Sequence, residues 1–166
     1  MTETSECELR IKACQWLQSH FPKRDYLLEP IVFHDIGMTV TNFLKRKFKG
    51  SQLTSIPKYN SLQIRPDLIA ILLSSTDSSE IPLWIIGECK VGRITRGYFR
   101  QAKDYADTAC SYEAYLFYDN DLSTEVIKAI ENGGHIYNGT NRWGKPVRKK
   151  IEFVKYSNNK FTKQNY

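Results

Sequence analysis

No apolar stretch of this 166-residue sequence approaches the ~20 residues that a membrane-spanning helix needs, so an integral helical membrane protein is not expected. The opening residues, MTETSECELRIK, lack a basic segment followed by an apolar run, so no signal peptide is expected and a cytoplasmic location is. Four cysteines (Cys7, Cys14, Cys89, Cys110) show no C-x-x-C spacing, which argues against a zinc ribbon or a dithiol redox pair. They read as free, mostly buried thiols. The three histidines, His20, His34 and His135, form no HNH or zinc pattern, and His34 beside Asp35 reads as a loop residue. Internal repeats and low-complexity tracts are also missing.

What is present is a chain long enough for one compact domain with a real core. Its net charge of +6 is unevenly spread. Residues 1–140 hold 16 Lys/Arg against 17 Asp/Glu, whereas residues 141–166 hold 8 against 1. A second basic cluster, LKRKFKG, contains Lys45, Arg46 and Lys47. Basic segments on a balanced body suit a polyanion, because each phosphate neutralised releases counterions. A solvated, solubilising extension over 141–166 is the plainer alternative.

Periodicity places a helix over residues 5–21, with Ser5 as N-cap and Leu9, Ala13, Trp16 and Leu17 on one face. YLLEPIVFHD reads as a first strand, with Pro30 arguing for an edge or bulge. A short basic helix is expected over 41–49, then a loop. Strands at about 62–73 and 82–90, around the turn-rich SSTDSSEIP, read as a hairpin. RGYFRQAKDYADTAC is a helix burying Phe99, Ala102, Tyr105, Ala106 and Ala109. EAYLFYD is a buried strand, LSTEVIKAIENGG a capped helix, and GHIYNG and RKKIEFVKY late strands. The order, α-β-β-β-α-β-α-β-β, predicts an α/β domain around a mixed central sheet flanked by helices.

The hairpin carries unexpected charge. In LWIIGECK, Glu88 and Lys90 share a face with Trp84 and Ile86 at the end of a strand that is otherwise core. The partner strand lies ~5 Å away, which brings Asp67 within reach of Glu88. Two converging carboxylates suit Mg²⁺ or Mn²⁺, which take a few carboxylates together with waters and phosphate oxygens. Such an ion polarises a scissile phosphate and acidifies a bound water. Lys90 could orient that water or stabilise developing charge. Two adjacent carboxylates favour its protonated form, which weakens a role as base. The bland alternative is three ordinary strand-end charges.

Pro66-Asp67, a hairpin, Glu88-Cys89-Lys90 and a following helix together resemble the PD-(D/E)XK, or restriction-endonuclease-like, nuclease superfamily. The resemblance covers roughly residues 5–118 and implies that family's α-β-β-β-α-β core. It implies a metal held by Asp67, Glu88 and the Cys89 carbonyl, with Lys90 as catalytic lysine. It also implies a first-helix acid at the metal. Glu6 leans toward the buried face and Glu8 is the fallback, while a first-turn acid complementing the helix dipole is the alternative. QAKDY, with Gln101 and Tyr105 one turn apart, is similar to the Q-x-x-x-Y motif of the RecB-like branch. There the pair supports the site and contacts nucleic acid, although Tyr105 as core and Gln101 as surface amide is the other reading. Arg93, Arg96 and Arg100 flank this region as phosphate contacts. No cysteine follows Cys110, so the iron–sulfur cluster of some RecB-like nucleases is not expected.

The expectation is therefore a single nuclease domain, with its core over about 5–138 and a basic extension at 141–166. It would hydrolyse phosphodiesters of DNA with Mg²⁺ or Mn²⁺. RNA is an alternative substrate, a homodimer a further expectation, and an inactive nuclease-like binding module the alternative class.

Overall fold

The structure, a computed structural model, describes residues 5–21, 31–34, 37–54, 58–76 and 79–166. The first helix, α1 (Glu6–His20), begins at Ser5, whose side chain accepts from the Glu8 N–H. This capping bond satisfies one of the amides left free at a helix start. The helix buries Leu9, Ala13, Cys14 and Leu17 at helical spacing. Strand β1 (Ile31–His34) is followed by the basic helix α2 (Val40–Lys47), capped by Thr39, and the short α3 (Gly50–Thr54). The rest of the expected first strand, 26–30 and 35, lies outside the described residues, as do 55–57 of the expected loop.

The expected hairpin is β2 (Leu68–Thr76) and β3 (Ser79–Lys90), paired antiparallel from Leu68–Gly87 to Thr76–Ser79. Residues 62–67, expected inside the first of these strands, instead lead into it. Their backbone is used elsewhere: the Ile64 and Leu62 carbonyls accept from the Val40 and Thr41 N–H groups of α2. Helix α4 (Arg96–Ala109) then returns the chain to β4 (Glu113–Tyr118), which lies parallel to β3. Helix α5 (Thr124–Glu131) precedes a separate two-stranded ribbon, β5 (Ile136–Thr140) with β6 (Pro146–Lys150). Strand β7 (Glu152–Ser157) pairs parallel to β4, and β8 (Lys160–Gln164) pairs antiparallel to β7.

The main sheet is thus mixed and six-stranded, in the order β1-β2-β3-β4-β7-β8. Its two faces are covered by different helices. On one, α1 packs Leu9, Ala13 and Leu17 against Leu68, Ala70, Ile85, Phe117 and Val154. On the other, α2 covers Ile69, Ile71, Trp84 and Ile86, while α4 and α5 cover Ala114, Leu116 and Phe153. The strict alternation of Leu83, Ile85 and Cys89 with Trp84 and Ile86 is what lets one strand serve both cores.

The late segment differs from expectation. RKKIEFVKY is two strands, because the chain changes partner at Ile151. That residue is buried, and its N–H donates to the His135 carbonyl at 2.9 Å. Residues 141–166, expected as an extension, supply β6, β7 and β8, and Phe153, Val154 and Tyr156 enter the core. Of the four thiols, Cys14 and Cys89 are buried, Cys110 is half-buried and Cys7 is exposed.

Candidate active site

One step past the Leu68–Gly87 pair, the hairpin register brings Asp67 opposite Glu88. Gly87 allows the close approach: a Cβ there would lie 3.0 Å from that of Leu68. The two carboxylates are laced to the backbone of each other's strand. The Cys89 N–H donates to Asp67 Oδ2 at 2.9 Å, and the Asp67 N–H donates to Glu88 Oε1 at 3.2 Å. Lys90 Nζ stands between the acids, 3.0 Å from Asp67 Oδ2 and 3.1 Å from Glu88 Oε2. The three charged side chains therefore form one cluster at the end of a core strand. Glu88 is the deepest, with its side chain 1% exposed, against 14% for Asp67 and 11% for Lys90.

Burial, then the neighbouring Asp67 charge, pushes the Glu88 carboxyl up to about 7, against the opposing pull of Lys90. Burial acts to lower Lys90, but Glu88 and Asp67 outweigh it and hold the ammonium above its ordinary range. Lys90 is thus a firmly charged donor. Burial also raises the Cys89 thiol, so its sulfur stays protonated and inert inside the core beneath α1. A turn at Gly92, at φ 82°, ends the strand; the Gly92 N–H donates to Asp119 Oδ1 at 2.8 Å.

Sequence reasoning missed Arg10. Its guanidinium lies 3.1 Å from Asp67 Oδ1 and also pairs with Glu6, one turn earlier on α1. The first-helix acid therefore reaches the cluster through an arginine. The i,i+4 spacing of Glu6 and Arg10 was a visible signal for that pair; its orientation toward Asp67 was not. Glu8 pairs with Lys12 at 2.6 Å instead. Tyr98 is a second unforeseen neighbour, its ring centroid 5.7 Å from Lys90 Nζ.

The remaining candidates are spread over two helices and a turn. Gln101 Nε2 donates to Tyr105 Oη at 3.3 Å along α4, and Tyr105 packs partly into the core shared with α2. Arg93 in the turn, and Arg96 and Arg100 on α4, are exposed. Lys45, Arg46 and Lys47 are exposed on α2.

Among the described residues, no three His, Cys, Asp or Glu side chains gather as a ready cage for a cation. Two carboxylates do converge, however, and a monovalent ammonium already bridges them. Such hard oxygen donors, one of them raised by burial and by the neighbouring carboxylate, fit a hard divalent ion. Asp67, Glu88 and the Cys89 carbonyl are the groups that would hold it.

Fold and cluster together define an α/β protein with a carboxylate–lysine centre at the end of its central hairpin. No protein-family model, curated protein or solved structure matches the chain.

Proposed function

We propose that this protein is a metal-dependent nuclease that hydrolyses phosphodiester bonds of DNA, on a restriction-endonuclease-like core. The observation that carries the reading is the convergence of Asp67 and Glu88 on the single ammonium of Lys90. The helix before the hairpin, the parallel strand after α4 and the basic surface agree with it. When bound, Mg²⁺ or Mn²⁺ supplies Lewis acidity at a phosphoryl oxygen and lowers the pKa of a coordinated water. Asp67 and Glu88 would hold the cation. Lys90, kept protonated, donates to a phosphate oxygen as negative charge builds there. Arg10 offers a second cation to the same phosphate once it parts from Asp67. Arg93, Arg96, Arg100 and Lys45 steer the strand by its backbone charge, while Gln101 and Tyr105 brace α4 beside it.

The test is cleavage of single-stranded, duplex and RNA substrates with Mg²⁺ or Mn²⁺ and with chelator. Asp67→Ala, Glu88→Ala and Lys90→Ala should each abolish cleavage in folded protein. Full activity in Asp67→Ala or Lys90→Ala would overturn the assignment; preference for RNA would change the substrate class alone.

A second reading, an inactive nuclease-like binding module, is favoured by Arg10. The Glu6–Arg10–Asp67–Lys90–Glu88 chain is a closed set of ion pairs. Thermal melting with Mn²⁺ separates the two. An active centre gains stability from the ion by mass action and loses that gain in Asp67→Ala.

A further inference from the structure

We propose that the cavity between β1 and α2 receives an unpaired nucleobase of the strand being processed, with its phosphate held by Arg46 and Lys47. The inference rests on the nuclease reading and narrows its substrate to nucleic acid with unpaired bases beside the cleavage point. The cavity measures about 400 Å³, within the ~300–1,000 Å³ typical of small-ligand sites. Its apolar wall is aromatic: Phe33 and Phe43 stand 4.5 Å apart between ring centroids, with Met38 beside them. A flat heterocycle stacks on such a wall regardless of its identity, because every base has a π-face.

Among the described residues, the lining carries cations and no acid. Arg46 and Lys47 project from α2 into its rim. Lys47 Nζ already lies 5.3 Å over the Phe33 ring. That contact shows the ring face accepting a cation, and the long lysine stem can swing outward to a phosphate when a base takes its place. Aromatic floor and cationic rim together match the two halves of a nucleotide. Position links the pocket to the proposed centre. His34, which also lines it, pairs in register with Leu68, the residue after Asp67. Neighbouring strands are ~4.8 Å apart, so the β1 wall of the pocket stands one strand over from the Asp67 end of β2. A duplex keeps its bases stacked and paired, so only an unpaired base enters without the cost of unpairing.

The experiment uses the full chain in EDTA, with oligonucleotides carrying one 2-aminopurine. Single strand should bind with altered fluorescence of the probe, and the matched duplex should bind about tenfold or more weakly. Phe33→Leu, which keeps the position apolar, should abolish the fluorescence change while the cooperative thermal transition persists. Arg46→Ser with Lys47→Ser should weaken binding about tenfold and flatten the dependence of log K on log salt by about one unit. These exposed substitutions also decide the matter if Phe33→Leu fails to fold. Equal binding of single strand and duplex would overturn the proposal. So would a signal untouched by all three substitutions, or adenosine monophosphate binding as tightly as the oligonucleotide. Metal-dependent cleavage without the pocket signal leaves the nuclease reading standing and removes this one. The pocket signal without cleavage by any metal removes the nuclease reading and leaves a base-binding pocket with no cleavage point beside it.

Discussion

Glu88 is a carboxylic acid in a place made for an aliphatic side chain, and its protonation is coupled to folding. Its folded value, about 7, lies above the ordinary 4.5. The stability it contributes is therefore complete below about pH 4.5 and is lost as pH rises through about 7. In chelator, wild type should lose ground to Glu88→Gln between about pH 5 and pH 8, by a few kcal/mol at most. Urea denaturation at each pH measures this; a gap independent of pH would contradict it. The same proton competes with a cation, so Mn²⁺ affinity should climb toward pH 7 and then level off. Arg10 gives a second residue-scale outcome. On the proposed nuclease reading, its charge at Asp67 would oppose a cation there and help a phosphate. Arg10→Met should tighten Mn²⁺ several-fold by calorimetry while lowering kcat/KM. Asp67, Glu88 and Lys90 were legible because strand alternation alone puts them together. Arg10 was not, because the hand-over from α1 to the hairpin depends on how a helix docks over a sheet.

Among the elements, α1, the hairpin, α4 and α5 stood out in the sequence because each carries an unbroken apolar period and a cap or turn. The late strands were harder. RKKIEFVKY keeps one strand-like pattern across Ile151, and only the change of partner from β5 to β4 divides it. The β7–β8 turn carries its signal in Asn158-Asn159. Asn158 and Asn159 have φ of 50° and 59°, the left-handed pair of a two-residue hairpin loop, and asparagine tolerates that region. Asn159→Val should cost about 1–2 kcal/mol, and Asn159→Gly should be neutral or stabilising. Thermal melting of both variants checks the pair.

For the whole molecule, the basic residues after 140 belong to a folded segment: Arg148, Lys149 and Lys150 lie on β6, Lys155 on β7, and Lys160 and Lys163 on β8. β7 lies between β4 and β8, and its Phe153 and Val154 are core. Truncation after Thr140 should therefore unfold the protein rather than trim a tail, visible as loss of the cooperative thermal transition by circular dichroism. Among the described residues no helix is long and apolar enough to cross a membrane. The excess charge sits on a folded surface, where its spacing is fixed.

The order of the sheet also has a kinetic side. Asp67, Glu88 and Lys90 lie within one local hairpin, whereas β4 must wait for β7, a parallel partner some 37 residues further along. Local pairings form ahead of distant ones, because less loop entropy must be lost first. The Asp67–Glu88–Lys90 cluster should thus assemble early and the sheet close late. In pulse-labelled refolding, the Ile85 amide, which faces β2, should gain protection before those of Phe153 and Val154.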